Sequence, residues 1–220
     1  MSDVITIDGP GGSGKSTVSR ILAKKIGYSY LDTGAMYRAV ALAANRRCVD
    51  LSDGRALGGL CRSLDLHFLN EEDPPTLLLD QEDISLLIRG PELDMLSSGI
   101  SSIREVREAM TTLQRKMAEG VWLVAEGRDM GTVVFPWARY KFYLSASPEV
   151  RAQRRYEELS ARGETASKGL VEEELKKRDS QDRMRLLAPL KPAADAIIVD
   201  STNLTIEEVI QMMLYHIGEK

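Results

Sequence analysis

Apolar and polar positions change rhythm several times along the chain, and each change marks an element. Val4, Ile5 and Ile7 form a short β-rich run, glycines follow, and Val18, Ile21, Leu22 and Ile26 then recur at helical spacing up to Gly27, a natural helix stop. Tyr28 to Asp32 reads as a second strand and Ala35 to Asn45 as a second helix. This β-α-β-α alternation predicts an α/β fold on a parallel sheet. The middle departs from it. Leu64 to Leu69 alternates apolar with polar, "EEDPP" interrupts, and "TLLLD" and "DISLLI" are short strand-like runs, so a small antiparallel module is expected. Helical spacing from Ile103 to Ala118 leads to Val121–Glu126 and then Lys141–Leu144, two apolar runs typical of buried strands, where the main sheet resumes. Ser147 ahead of Pro148 and Glu149 opens a further helix carrying Arg151, Arg154, Arg155 and Arg162. Ala196 to Asp200 is the last strand. Thr205 and Glu208 form a capping box before an amphipathic helix with Val209, Ile210, Met213 and Ile217 on its core face.

Composition narrows the picture modestly. The 220 residues can bury a substantial core, and no run approaches the roughly 18 consecutive apolar residues of a membrane span, so no membrane role is expected. The start of the chain has no basic stretch followed by an apolar block, which points to a cytoplasmic protein. Cys48 and Cys61 lack metal-ligand spacing and read as ordinary half-buried thiols; His67 and His216 belong to no triad or ligand cluster. Any metal is therefore expected to arrive with a ligand. A net charge of −4 argues against a nucleic-acid polymer as partner.

The chemistry begins with "GPGGSGKST". Gly9, Gly11 and Gly14 satisfy a dinucleotide-binding pattern, with Asp32 at about the distance of its ribose-binding acid. The same stretch also satisfies G-x-x-x-x-G-K-[ST] through Gly9, Gly14, Lys15 and Ser16. A dinucleotide fold has no need of the lysine and hydroxyl, so the nucleoside triphosphate loop explains more residues. Its glycines let backbone N–H groups curl around phosphates and the following helix adds its positive end. Lys15 reaches the terminal phosphates and Ser16 can ligate Mg²⁺. ATP or GTP is the expected ligand.

The rest of the chain narrows the destination of the phosphate. No N-K-x-D guanine motif occurs, and "LSSGI" lacks the consecutive glycines and glutamine of a transporter ATPase signature. Arginines instead meet carboxylates in "LDTGAMYR", "EGRDMG" and "KRDSQDRMR". The first two follow presumed strand ends, where an open parallel sheet places its ligand crevice, and an arginine-rich cleft suits a second anionic substrate. Arg178, Asp182 and Arg185 fall at i, i+4 and i+7, on one helix face, either as a solvated ladder or as part of that cleft.

"GPGGSGKST", "LDTGAMYR", "EGRDMGTVVFP", "KKRDSQDRMR" and "APLKPAADAIIVDST" resemble, in order and spacing and over essentially the whole chain, the bacterial cytidylate kinases. The resemblance implies a P-loop nucleoside monophosphate kinase fold: five parallel strands flanked by helices, a small antiparallel β insert and a helical lid. It implies one unit over 1–220, with core at about 1–61, 96–147 and 186–220, insert at about 62–95 and lid at about 148–185. The implied activity is transfer of the terminal phosphoryl of ATP, with Mg²⁺, to CMP or dCMP; nothing in the sequence suggests an obligate oligomer, so a monomer is expected. Carried over position by position, Gly9, Pro10, Gly11, Gly12, Ser13, Gly14, Lys15, Ser16 and Thr17 would cradle ATP, Ser16 would meet the metal, and lid residues Arg154 and Arg155 would close over the phosphates. Arg38, Arg128 and Arg185 would hold the acceptor phosphate beside Thr33. Ser98, Arg107 and Asp129 would meet the base, and Arg178 and Asp182 the ribose. Lys15, Arg128, Asp129, Arg178 and Arg185 would carry catalysis. Thr33 stands where many members have serine, and Glu126 where many have aspartate.

Overall fold

The computed structural model describes residues 3–70 and 72–218. Its main sheet contains β1 (Val4–Asp8), β2 (Ser29–Asp32), β6 (Leu123–Gly127), β7 (Tyr140–Ser145) and β8 (Ile197–Asp200), in the order β2-β6-β1-β7-β8. Every neighbouring pair is parallel, with Ile5 opposite Val124 on one side and Tyr140 on the other. All residues of β1 and β6 are buried, as expected of central strands covered on both faces. From β1 the chain first builds one side of the sheet and only later the other. The reversal opens a crevice beyond the carboxyl end of β1.

Side chains alternate between two cores. Ile5, Ile7, Phe142, Leu144 and Val199 face α1 (Lys15–Ile26) and α8 (Ile206–Ile217), which contribute Leu22, Val209 and Met213. Val4, Leu31, Leu123 and Ala125 face the opposite side, against α2 (Thr33–Arg46), α3 (Gly54–Ser63) and α5 (Arg104–Met117). A second sheet of three antiparallel strands, β3 (Leu66–Leu69), β4 (Thr76–Leu79) and β5 (Glu82–Asp83), presses Leu66, Leu77 and Leu79 onto this core. α4 (Pro91–Ile100) follows it. α6 (Pro148–Ala161) and α7 (Lys168–Met184) pair through a small core of their own, Ala152, Leu159, Val171 and Leu175.

The local signals act as their chemistry requires. Gly27 ends α1 with φ 71°, Ser147 Oγ accepts from Val150 N, and both halves of the Thr205–Glu208 capping box form. Three expectations need correction. "DISLLI" is strand only at Asp83: from Ile84 the chain makes a helical turn, with Ile88 N donating to Ile84 O, that buries Ile84 and Ile88 and exposes Leu86. Val121 and Trp122 precede β6 rather than belonging to it. α3 and α4 flank the segment read as strand-like and are additions to that reading. Of the two cysteines, Cys48 is exposed and Cys61 buried. Among the described residues no helix is long and apolar enough to cross a membrane.

Candidate active site

The crevice is a cleft of about 400 Å³ at the carboxyl ends of β1, β2 and β6. Its floor is the loop between β1 and α1. Gly9 lies so close to β7 that a Cβ there would sit 2.1 Å from Leu144 O, so only glycine lets the loop turn at this point. Gly14 caps α1 at φ 88° and no side chain caps the helix, which leaves its first N–H groups to meet an anion. Lys15 lies buried along the loop with Nζ 3.4 Å from Pro10 O. Burial, reinforced by Arg128 and opposed by Glu126, pushes its pKa down to about 7.

Glu126, at the end of β6, is buried and accepts hydrogen bonds from Ser16 Oγ at 3.0 Å and from the Tyr30 hydroxyl. Burial, and then Asp32, raise its pKa against the pull of Lys15. Thr33 Oγ1 donates to Glu126 O at 2.6 Å, and Asp32 caps α2 through Ala35 N while pairing with Arg38. The strand end, the helix start and the phosphate loop thus form one bonded unit.

Arg128 and Asp129 follow β6 and reach different partners. Arg128 Nε donates to Asp182 Oδ2 at 2.7 Å, whereas Asp129 forms a buried ion pair with Arg107 and lies 3.7 Å from Arg185. Arg107 is fixed further by Ser101 O at 3.1 Å. The backbone after Asp129 is held by Asp8, whose two carboxylate oxygens accept from Met130 N and Gly131 N at 2.8 Å each. That anchor fixes one π-helical turn, Met130–Val134, and with it the direction of the two preceding side chains. Burial pushes the Asp8 carboxyl up to about 7 despite these donors. Arg178 is lowered to about 10 by burial and by Arg128.

Of the residues singled out in the sequence, the cleft brings together Gly11, Gly12, Lys15, Ser16, Thr17, Thr33, Arg38, Ser98, Arg107, Arg128, Asp129, Arg155, Arg178, Asp182 and Arg185. Gly9, Pro10, Ser13 and Gly14 form the loop behind this lining. Arg154 is not among the lining residues; it lies against the phosphate loop, bonded to Ser13 O and to Ser201. Arg185 is not on a helix face: it caps α7 with ψ 138° and converges on Asp129 because the chain leaves the helix there. Arg38 Nε, Arg178 Nε and Arg185 NH2 are buried without a hydrogen-bond partner, the last with only the Asp129 carboxylate at 3.7 Å, so the cleft holds guanidinium donors with unused hydrogen-bonding capacity. Planar, permanently charged donors of this kind suit phosphate oxygens.

A family model described as cytidylate kinase matches residues 5–219. The chain belongs to the cytidylate kinase family. A cytidylate kinase from Geobacter sp. (strain M21) is 47% identical over 217 residues, covering 99% of this chain and 93% of that protein. One from Vibrio cholerae is 46% identical, covering 99% and 96%. Among solved structures, an uncharacterized protein from Eubacterium ventriosum covers 99% of both chains with a TM-score of 0.55 at 13% identity. Shikimate kinase from Bacteroides thetaiotaomicron covers 98% of both with a TM-score of 0.50 at 12% identity. At such identities the likeness is one of fold. Within this cytidylate kinase family chain, sequence reasoning overlooked Tyr30, Asp8 and Asp94. Asp94 had a signal, since Gly90-Pro91 followed by Glu92 and Asp94 is a helix start with an acidic first turn.

Proposed function

We propose that this protein transfers the terminal phosphoryl group of ATP to CMP or dCMP, giving ADP and CDP or dCDP. The observation that carries the reading is the meeting, in one cleft, of Lys15 at an uncapped helix start with buried donors of Arg38, Arg178 and Arg185 that make no hydrogen bond. One end of such a cleft suits a triphosphate and the other an acceptor phosphate. The α1 N–H groups and Lys15 would bind the donor phosphates, and Arg38, Arg128 and Arg185 the acceptor phosphate beside Thr33. Phosphoryl transfer spreads charge over oxygens in a loose transition state, so in-line positioning and fixed cations account for most of the rate.

Ser16 Oγ beside Glu126 Oε2 provides hard oxygens of the kind Mg²⁺ takes. Among the described residues no cluster of three or more His, Cys, Asp or Glu could hold a metal ion. Bound beside Ser16, Mg²⁺ supplies charge neutralisation to the transferring phosphoryl. The α6–α7 hairpin, with a core of its own and Arg155 and Arg178 facing the cleft, would serve as the lid that excludes water as a competing acceptor.

For the base, cytosine presents an exocyclic amine donor beside a ring acceptor, and uracil presents the reverse. The Asp129 carboxylate suits the amine and the Arg107 guanidinium suits the ring acceptor, with Ser98 nearby on α4. An unpaired buried polar group costs about 1–3 kcal/mol, so CMP and dCMP should exceed UMP by at least roughly tenfold in kcat/KM. ADP release measured with CMP, dCMP, UMP and AMP as acceptors tests this. A purine as the best acceptor overturns it.

A further inference from the structure

Asp94 lies in the first turn of α4 and has no part in the reading above. Its Oδ2 accepts from Arg155 NH2 of α6 at 2.6 Å, while Oδ1 lies 3.6 Å from Arg38 NH1 of α2 and 3.9 Å from Arg178 NH1 of α7. One carboxylate therefore gathers guanidinium groups from three helices on both sides of the cleft. Only Arg155 receives a short bond. Its other terminal nitrogen donates to Glu158 Oε2 at 2.8 Å, so the guanidinium plane is fixed from two directions. Ser98, one turn further along α4, donates to Gln181 of α7 at 3.4 Å, a second link between the same helix and the hairpin. Arg38 also pairs with Asp32 and Arg155 with Glu158, so Asp94 is the carboxylate shared by all three guanidinium groups, and it sets where they sit relative to one another.

We propose that Asp94 is a positioning residue for phosphoryl transfer: it fixes Arg155, and through it the α6–α7 hairpin, against the helix that also carries Ser98. Arg155 would then meet the donor phosphates with its rotamer already set, and that preorganisation acts in the transition state more than in binding. The inference rests on the proposed role of Arg155 over ATP.

The test is a double-mutant cycle on the full chain with saturating ATP and CMP. Asp94→Asn, which keeps the shape and removes the charge, should lower kcat by roughly tenfold or more with the KM for CMP changed by less than about threefold. Arg155→Ala should lower kcat at least as much, and the double variant should fall no further than Arg155→Ala alone. Losses that multiply, or an unchanged kcat in Asp94→Asn, overturn the proposal. A near-normal Arg155→Ala instead removes the donor-side reading of Arg155, so the two failures are distinct. If Asp94→Asn does not melt cooperatively, Asp94→Glu, which keeps the charge but displaces it by one methylene, takes its place in the cycle with the same criteria.

Discussion

Lys15 is the side chain whose ionisation most directly links the fold to the ligand. Free in water its ammonium would titrate near 10.5, but in the cleft burial and then Arg128 bring it down to about 7. A triphosphate arriving at the uncapped start of α1 replaces that environment with anionic oxygens, which return the lysine toward its ordinary range. Binding must then take up a proton wherever the free site has lost one. With a value of about 7 in the cleft, and the ordinary 10.5 restored by the phosphate oxygens, simple titration leaves about a tenth of the sites protonated at pH 8 before binding and nearly all after. The expected uptake is therefore about 0.9 proton at pH 8 and about 0.1 at pH 6. The sign follows directly: ATP affinity is flat below about pH 7 and falls as pH rises above it, by up to about tenfold per unit. Calorimetric titration of MgATP in buffers of different ionisation enthalpy, at both pH values, reads the uptake. Lys15→Arg, whose guanidinium stays charged throughout, should abolish the difference between the two pH values. An uptake that does not change between pH 6 and pH 8 in the unmodified protein would refute the account of a neutralised lysine.

Gly9→Ala forces a Cβ to 2.1 Å from the backbone oxygen of Leu144, so the loop must move off β7; a drop in turnover of about a hundredfold or more is expected, and near-normal kinetics would mean the loop has slack. Asp129→Ala strands the buried Arg107 and should cost about 3–5 kcal/mol in denaturant unfolding while narrowing the CMP-to-UMP ratio of kcat/KM; an unchanged ratio removes Asp129 from base selection. Asp8 carries a proton in the native state up to about pH 7 that the unfolded chain releases near 3.8. Its contribution to stability is accordingly greatest at low pH and is lost as pH rises from about 4 to about 7, by at most about 4 kcal/mol. Asp8→Asn should remove that slope from thermal melts, and should cost about 1–3 kcal/mol at pH 5 by leaving one N–H without an acceptor. Equal slopes in the two proteins would show that Asp8 is ionised in the fold.

What the residue order determined by itself is what depends on neighbours a few positions apart. The strand, glycine loop and helix around Lys15 are of this kind, because a helix start exposes its N–H groups whatever the rest of the chain does. So are the Gly27 stop, the Thr205–Glu208 box and the burial of Leu123 to Glu126. The middle segment was harder: Ile84 and Ile88 suit a strand or a helical turn equally well as isolated apolar residues, and packing against the larger core chose the turn. Tertiary structure alone decided which carboxylate meets which guanidinium. Arg107 finds Asp129 across 22 positions, Arg128 finds Asp182 across 54, and Arg155 finds Asp94 across 61. Charge attraction depends on separation in space and on the water excluded between the partners, and neither is written in sequence distance. With 29 lysines and arginines and 33 acids along the chain, many pairings satisfy composition, and only the meeting of the β6 end, α4, α5 and the α6–α7 hairpin at the carboxyl end of the sheet selects those that form.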